Sequence, residues 1–195
     1  MKWNEFEREI RKKNIKLFTP LDIQRFLGRS LIAVRFLVYR LNKQGQIQRV
    51  KRGLYKLTDD RVSDLYLANK LYEPSYLSLE FALSYHRVIP ETVYEITSIT
   101  PKATRVFKAL GKVYSYRHVK KRAFGGYTAA KQPGISFLIA DPEKAFVDLN
   151  YFRLLGGLKP LARFNKDKLD PLKALRYAEL FGNPKLTGII KTTLP

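Results

Sequence analysis

The chain has 195 residues, a formal net charge of +20, two histidines and no cysteine. Without cysteine it can form no disulfide, thiolate metal site or Cys nucleophile, and its 45% apolar and 13% aromatic content is enough to bury a core rather than leave the chain disordered. So large an excess of cations points to a polyanionic partner: nucleic acid first, with an acidic membrane surface or an acidic protein as the other classes.

No apolar run approaches the ~18 residues of a membrane span. The opening stretch "MKWNEFEREIRKKN" mixes charges and lacks an apolar leader, so the expected location is the cytoplasm. Trp3, Phe6 and Ile10 share one face of a first helix, 3–12. "KLFT" reads as a short strand or bend. Thr19 is placed to cap a second helix, with Pro20 at its first position and Gly28 at its end. Ser30 is placed to cap a third helix, "LIAVRFLVYRLNKQG", that Gly45 ends. Its core stripe is Leu31, Val34, Leu37, Val38 and Leu41; Arg29, Ile32, Ala33, Phe36, Tyr39, Arg40 and Lys43 fall opposite. In "IQRVKRGLYKL", apolar and polar residues alternate on both sides of Lys51-Arg52-Gly53, which predicts a hairpin with a cationic tip.

Helix, short strand, helix, turn, helix and hairpin is the order of a winged helix-turn-helix. That reading lays the third helix in the major groove of DNA. The hairpin is then the wing, with Arg49, Lys51 and Arg52 on a phosphate backbone or minor groove. The expected contacts on the helix are Arg29, Ser30, Ala33, Phe36, Arg40 and Lys43. Ile32, Phe36 and Tyr39 either meet thymine methyls or pack under the wing or against a second domain. The bland alternative is a unit that packs only on protein.

"TDDRVSD" reads as a linker, giving domains 1–60 and 61–195. Residues 1–60 hold 15 basic and 6 acidic side chains and the remainder 22 and 11, so both parts are cationic. The second part is mixed α/β, which makes the whole an α+β fold. "DLYLANKLY" is a short amphipathic helix, and a second helix runs from about Ser78 to Tyr85 after a break at Pro74. "TVYEITSIT", "KVYSYRHVK" and "ISFLIA" are strands. "DPEKAFVDLNYFRLL" and "DPLKALRYAELFG" each open with Asp as cap and Pro at the first helical position.

No phosphate-binding or dinucleotide fingerprint is present; Gly125-Gly126 reads as a bare pair inside a hairpin. His86 and His118 lack ligand partners at metal spacing, and no metal or cofactor is expected. A metal-dependent nuclease would use Asp141, Glu143, Lys144 and Asp148, but a helix start and an ordinary i, i+4 pair account for the same residues. No catalytic residue is assigned. "YSYRHVKKRAFGGY" interleaves aromatics with Arg117, Lys120, Lys121 and Arg122, a second candidate nucleic-acid patch in which cations take phosphate and rings stack on bases. The alternative there is a hairpin with core aromatics and a solvated basic tip.

On "FTPLDI", "LNKQGQIQRVKRGLY", "YEPSYLSLEFALSYHRVIPE", "ITSITPKATRVF", "YSYRHV" and "IADPEKAFVDLNYF", the chain resembles the AbiEi-type antitoxins of type IV toxin–antitoxin systems, a winged-helix transcriptional regulator family. The specific part is "SYLSLEFALSYH" followed by "DPEKAFVD". The resemblance implies a DNA-binding N-terminal domain and a C-terminal antitoxin domain. It implies repression of the protein's own operon through inverted repeats in the promoter. It further implies that a nucleotidyltransferase-type toxin is countered without a stable complex. The family often carries glycine after the "SYHR"-type helix, where this chain has Arg87-Val88. A solitary regulator with no toxin partner, and a non-catalytic RNA-binding or protein-interaction module, are the alternatives.

Overall fold

A computed structural model of the chain describes residues 2–194. The fold is α+β, and it divides between Ser63 and Asp64 into two compact units.

The first unit holds α1 (Trp3–Lys12), α2 (Pro20–Leu27), α3 (Leu31–Lys43), β1 (Ile47–Lys51) and β2 (Leu54–Leu57). The caps are those the sequence announces. The Thr19 hydroxyl accepts from the Asp22 N–H, and the Asp22 carboxylate accepts from the Thr19 N–H at 2.7 Å. Ser30 likewise accepts from the Ala33 N–H and starts α3. Gly28 ends α2 at φ +64, a conformation that costs other residues 1–2 kcal/mol, roughly. Only Gly28, Arg29 and Ser30 separate α2 from α3, so the two helices must turn sharply on each other.

The core of this unit takes Phe6 and Ile10 from α1, Ile23 and Leu27 from α2, and Val34, Leu37, Val38 and Leu41 from α3. Each such side chain is worth about 1.5–3 kcal/mol when fully buried. Phe6 meets Phe18 and Phe26 edge-on, with centroids 5.5 and 5.4 Å apart, the arrangement that aromatic quadrupoles favour. Leu31, expected in the core stripe, is only half-buried, because it stands at the first position of the helix. Phe18 exchanges two backbone hydrogen bonds of 2.9 Å with Tyr55, so "KLFT" contributes a single-residue bridge to the hairpin.

The segment expected to be a linker is partly built into this unit. Arg11 bonds Asp59 at 2.9 Å and Lys16 bonds Asp60 at 3.2 Å. Lys56 is buried, and its ammonium donates to the carbonyls of Leu57, Thr58 and Asp60 at 2.8–2.9 Å. Burial lowers the Lys56 pKa, and the charge of Asp60 opposes that shift.

The second unit is built on one six-stranded mixed sheet, in the order β5-β6-β4-β3-β8-β7. Its strands are β3 (Tyr76–Leu77), β4 (Ile96–Thr100), β5 (Arg105–Ala109), β6 (Lys112–His118), β7 (Tyr127–Gln132) and β8 (Ile135–Ala140). Its helices are α4 (Asp64–Leu71), α5 (Leu79–Tyr85), α6 (Pro142–Leu155), α7 (Pro171–Glu179) and α8 (Pro184–Thr193). Strands β4 and β6 run parallel, as do β3 and β8. The register puts Tyr76, Ile99 and Arg117 on one face, where α6 supplies Asp148 and Phe152. Leu77, Ser98 and Tyr116 lie on the other, where Tyr116 donates to the Ala68 carbonyl of α4. Strand β4 is therefore covered on both faces and buried throughout, although its sequence alternates.

Two expectations fail here. Gly125-Gly126 is not in a hairpin: β6 and β7 are sequence neighbours but lie far apart in the sheet, and residues 119–126 connect them. The helix expected from about Ser78 is α5, and the Ser78 hydroxyl before it donates to Asp148 at 2.7 Å. Lys144 and Asp148 are no ordinary surface pair; both side chains are completely buried and bonded to each other. Asp148 also accepts from Tyr76 at 3.1 Å. Burial pushes the Asp148 carboxyl upward against the pull of Lys144, Ser78 and Tyr76. Arg87 sits at φ +58, a conformation glycine adopts without strain.

Candidate nucleic-acid interface

The 3.6-residue period of α3 sends four apolar residues inward and leaves the opposite face to solvent. Ile32, Phe36 and Tyr39 are 67%, 71% and 69% exposed. Of the two alternatives for Phe36, packing under the hairpin is ruled out by this exposure. Arg29, Ala33, Arg40 and Lys43 are exposed beside them. Arg29, Ala33, Phe36, Tyr39, Arg40 and Lys43 line a groove of about 560 Å³ along the helix, floored by Leu37. The Ser30 hydroxyl is engaged at the helix start, at 3.3 Å from the Ala33 N–H.

The hairpin stands next to this helix. Arg49 pairs with Tyr55 and Lys51 with Leu54, so Val50 has no opposite residue and forms a bulge. A bulge re-aims the side chains around it. Val50 itself is buried, while Arg49 and Arg52 are exposed and Lys51 is half-buried. Gly53 turns the chain at φ +78. Arg49 does not stand at the tip. It lines a second cleft, of about 200 Å³, with Arg35, Tyr39 and Asn42 of α3 and with Tyr55.

Sequence reasoning missed Arg35 and Asn42. The available signal was their i, i+4 and i+3 spacing from Tyr39, which sets all three on the flank of the exposed face. In this unit Arg11, Lys13 and Lys16 are paired with carboxylates. Among the described residues, Arg29, Arg35, Arg40, Lys43, Arg49 and Arg52 form no such pair. The face thus combines unneutralised guanidinium groups with exposed apolar surface.

The second patch is rearranged. Tyr114 and Tyr116 are fully buried, with hydroxyls donating to Asp64 and to the Ala68 carbonyl, and burial raises both phenol pKa values. Their rings are not available to stack on bases. The Arg122 guanidinium donates to the Phe181 carbonyl at 2.9 Å and lies against Gly182, where an added Cβ would come within 2.2 Å of it. Arg122 therefore ties the β6–β7 connection to the end of α7. Arg117, Lys120 and Lys121 remain exposed.

The carboxylates of "DPEKAFVD" are taken by lysines. Lys173 lies 2.9 Å from both Asp141 and Glu143, and Asp141 also accepts from Tyr177 at 2.7 Å. Burial, then the bond to Asp141, pushes the Tyr177 phenol up to about 12. His86 hydrogen-bonds the Ala140 carbonyl at 2.8 Å and His118 the Lys102 carbonyl at 3.0 Å. Among the described residues no helix is long and apolar enough to cross a membrane.

No family model matches the chain, and no curated protein matches it. Its fold is similar to that in the crystal structure of the RV2827C protein from Mycobacterium tuberculosis. The TM-score is 0.55 at 13% identity, over 95% of this chain and 79% of that one. At that identity the likeness concerns the fold alone.

Proposed function

We propose that the first unit is a winged helix-turn-helix that reads duplex DNA, with α3 as the recognition helix and the β1–β2 hairpin as the wing. The observation that carries this reading is the exposed face of α3. A helix that ends in solvent with Ile32, Phe36 and Tyr39 bare, flanked by cations free of ion pairs, needs a partner that offers both apolar contacts and negative charge. The major groove offers thymine methyls, guanine acceptors and phosphates together. Arg40 and Lys43 then reach base edges or phosphate from α3, Arg35 and Arg49 work from the cleft beside it, and Arg52 meets the backbone.

On the resemblance to AbiEi-type antitoxins, the chain is a repressor of its own operon that acts on an inverted repeat, and an antitoxin against a nucleotidyltransferase-type toxin. The antitoxin role belongs to the second unit, and no catalysis is assigned to either. The DNA reading is tested by fluorescence anisotropy on the duplex upstream of the gene, against a scrambled duplex at two salt concentrations. Preference for the native duplex by ~10³-fold or more at the higher salt is the expected result. Equal binding that vanishes with salt would leave only an electrostatic footprint. The antitoxin reading predicts that co-expression relieves the growth arrest caused by the toxin encoded beside it, and persistent arrest would sink that half.

A further inference from the structure

Between residues 96 and 140 the chain carries nine lysines and arginines and no carboxylate. The sheet gathers most of them at one end. Strands β4 and β6 run parallel, with Thr100 opposite His118, and the Val119 N–H extends the ladder by donating to the Thr100 carbonyl at 3.0 Å. Lys102 stands two residues beyond the end of β4, and Lys120 two residues beyond the end of β6. Neighbouring strands are about 4.8 Å apart, and the His118 ring lies 3.0 Å from the Lys102 carbonyl, so the two segments leave the sheet side by side. Lys121 follows directly. Arg105 opens β5 opposite Tyr116, and Arg117 lies one residue before the end of β6 on the other face of the sheet. All five are exposed.

None of the five is neutralised by a carboxylate among the described residues. Lys102 donates to the Glu73 carbonyl, and its ammonium and the Arg105 guanidinium lie 5.6 and 5.8 Å from the Tyr72 ring. Arg117 lies 5.7 Å from the Phe152 ring. Rings and carbonyls orient these cations without cancelling their charge.

We propose that this end of the sheet is a second phosphate-binding surface, formed by Lys102, Arg105, Arg117, Lys120 and Lys121, that holds the backbone of duplex DNA without reading its sequence. Charge without neutralisation selects a polyanion. The rings of the patch are largely covered, which favours a duplex over a single strand: single-strand binders stack bases on exposed aromatics, whereas Tyr114 and Tyr116 are buried and Tyr72 and Phe152 are half-buried beneath the cations. Between the cations lie Ala103, Thr104 and His118, and Val106 beside Arg105 is 62% exposed; the surface lacks the aromatic or Met anchors of a protein interface. The choice of DNA as the polymer rests on the reading of α3 proposed above; the cationic surface does not.

The test uses the full chain with Lys102, Arg105, Lys120 and Lys121 changed together to Ala. Binding to the native and scrambled duplexes is followed across salt. Each lost phosphate contact removes about 0.9 from the slope of log K against log salt. The slope is expected to become shallower by about 2 or more on both duplexes, with the preference for the native duplex kept. Unchanged slopes overturn the proposal. A second variant, Lys120→Glu with Lys121→Glu, guards against a folding defect. It is expected to weaken duplex binding at low salt at least tenfold with an unchanged melting temperature; unchanged affinity overturns the proposal as well. Single-stranded RNA of equal length is expected to compete less well than duplex, and better competition overturns the choice of a duplex. Failure of the α3 reading looks different: the wild-type chain then shows no preference between the two duplexes, while the loss of slope persists.

Discussion

The outer face of α3 and the inner face of α6 carry the same kinds of side chain to opposite ends. On α3, Arg40 and Lys43 stand in solvent with no carboxylate partner among the described residues, next to the bare rings of Phe36 and Tyr39. On α6, Lys144 is completely buried and bound to Asp148, which Ser78 and Tyr76 of the sheet also hold. Lys173 bridges Asp141 and Glu143 a few residues away. A cation is available to a ligand where the fold leaves it unmatched. Where the fold matches it, the same residue type is part of the frame. The "DPEKAFVD" stretch therefore reads as a joint between α6, α7 and the sheet.

That contrast can be broken most forcefully at Asp148. Its replacement by Ala strands the Lys144 charge in the core, and a loss of about 3–5 kcal/mol in urea unfolding is expected. Replacing both partners, Lys144→Met with Asp148→Leu, is expected to recover most of that loss. Equal damage from the single and double changes would show that packing matters here and charge matching does not. Lys56 is a buried, matched cation of the first unit. Lys56→Ala removes the donor from three carbonyls and is expected to cost about 2–3 kcal/mol, and a change below about 0.5 kcal/mol would place it with the surface cations.

Two smaller effects sharpen the other side. Phe36→Ala is expected to leave stability within about 0.5 kcal/mol, because the ring is exposed, while weakening native-duplex binding by about 1 kcal/mol or more. A marked fall in melting temperature with unchanged binding would make Phe36 a packing residue instead. Arg52→Ala is expected to weaken native and scrambled duplexes alike and to reduce the salt slope by about 1. A loss confined to the native duplex would give the hairpin a base contact.

Much of this was legible in the sequence because it is local. Thr19-Pro20, Ser30, Asp141-Pro142 and Asp170-Pro171 all start helices. The inward and outward faces of α3 follow from its period, including the exposure of Ile32 and Phe36. Asn183-Pro184 starts α8 by the same signal. What was not legible is non-local. Strand β3 is two residues long, too short to show alternation, and β5 and β7 are edge strands with mostly exposed residues. The separation of β6 from β7 depends on pairing across the sheet, which no local pattern encodes. Burial is non-local too. An i, i+4 Lys–Asp pair looks the same in sequence whether it faces water or, as Lys144 and Asp148 do, the core. Arg122 looked like a free cation of a basic run, and only the approach of Phe181 and Gly182 assigns it to the frame.

The central claim is that the exposed face of α3 reads bases, and the most direct measurement is the native-over-scrambled affinity ratio of Arg40→Ala. The account predicts a ratio lower by about 10- to 100-fold, the loss of one base-edge contact worth about 1–3 kcal/mol. A ratio equal to that of the wild-type chain would contradict it.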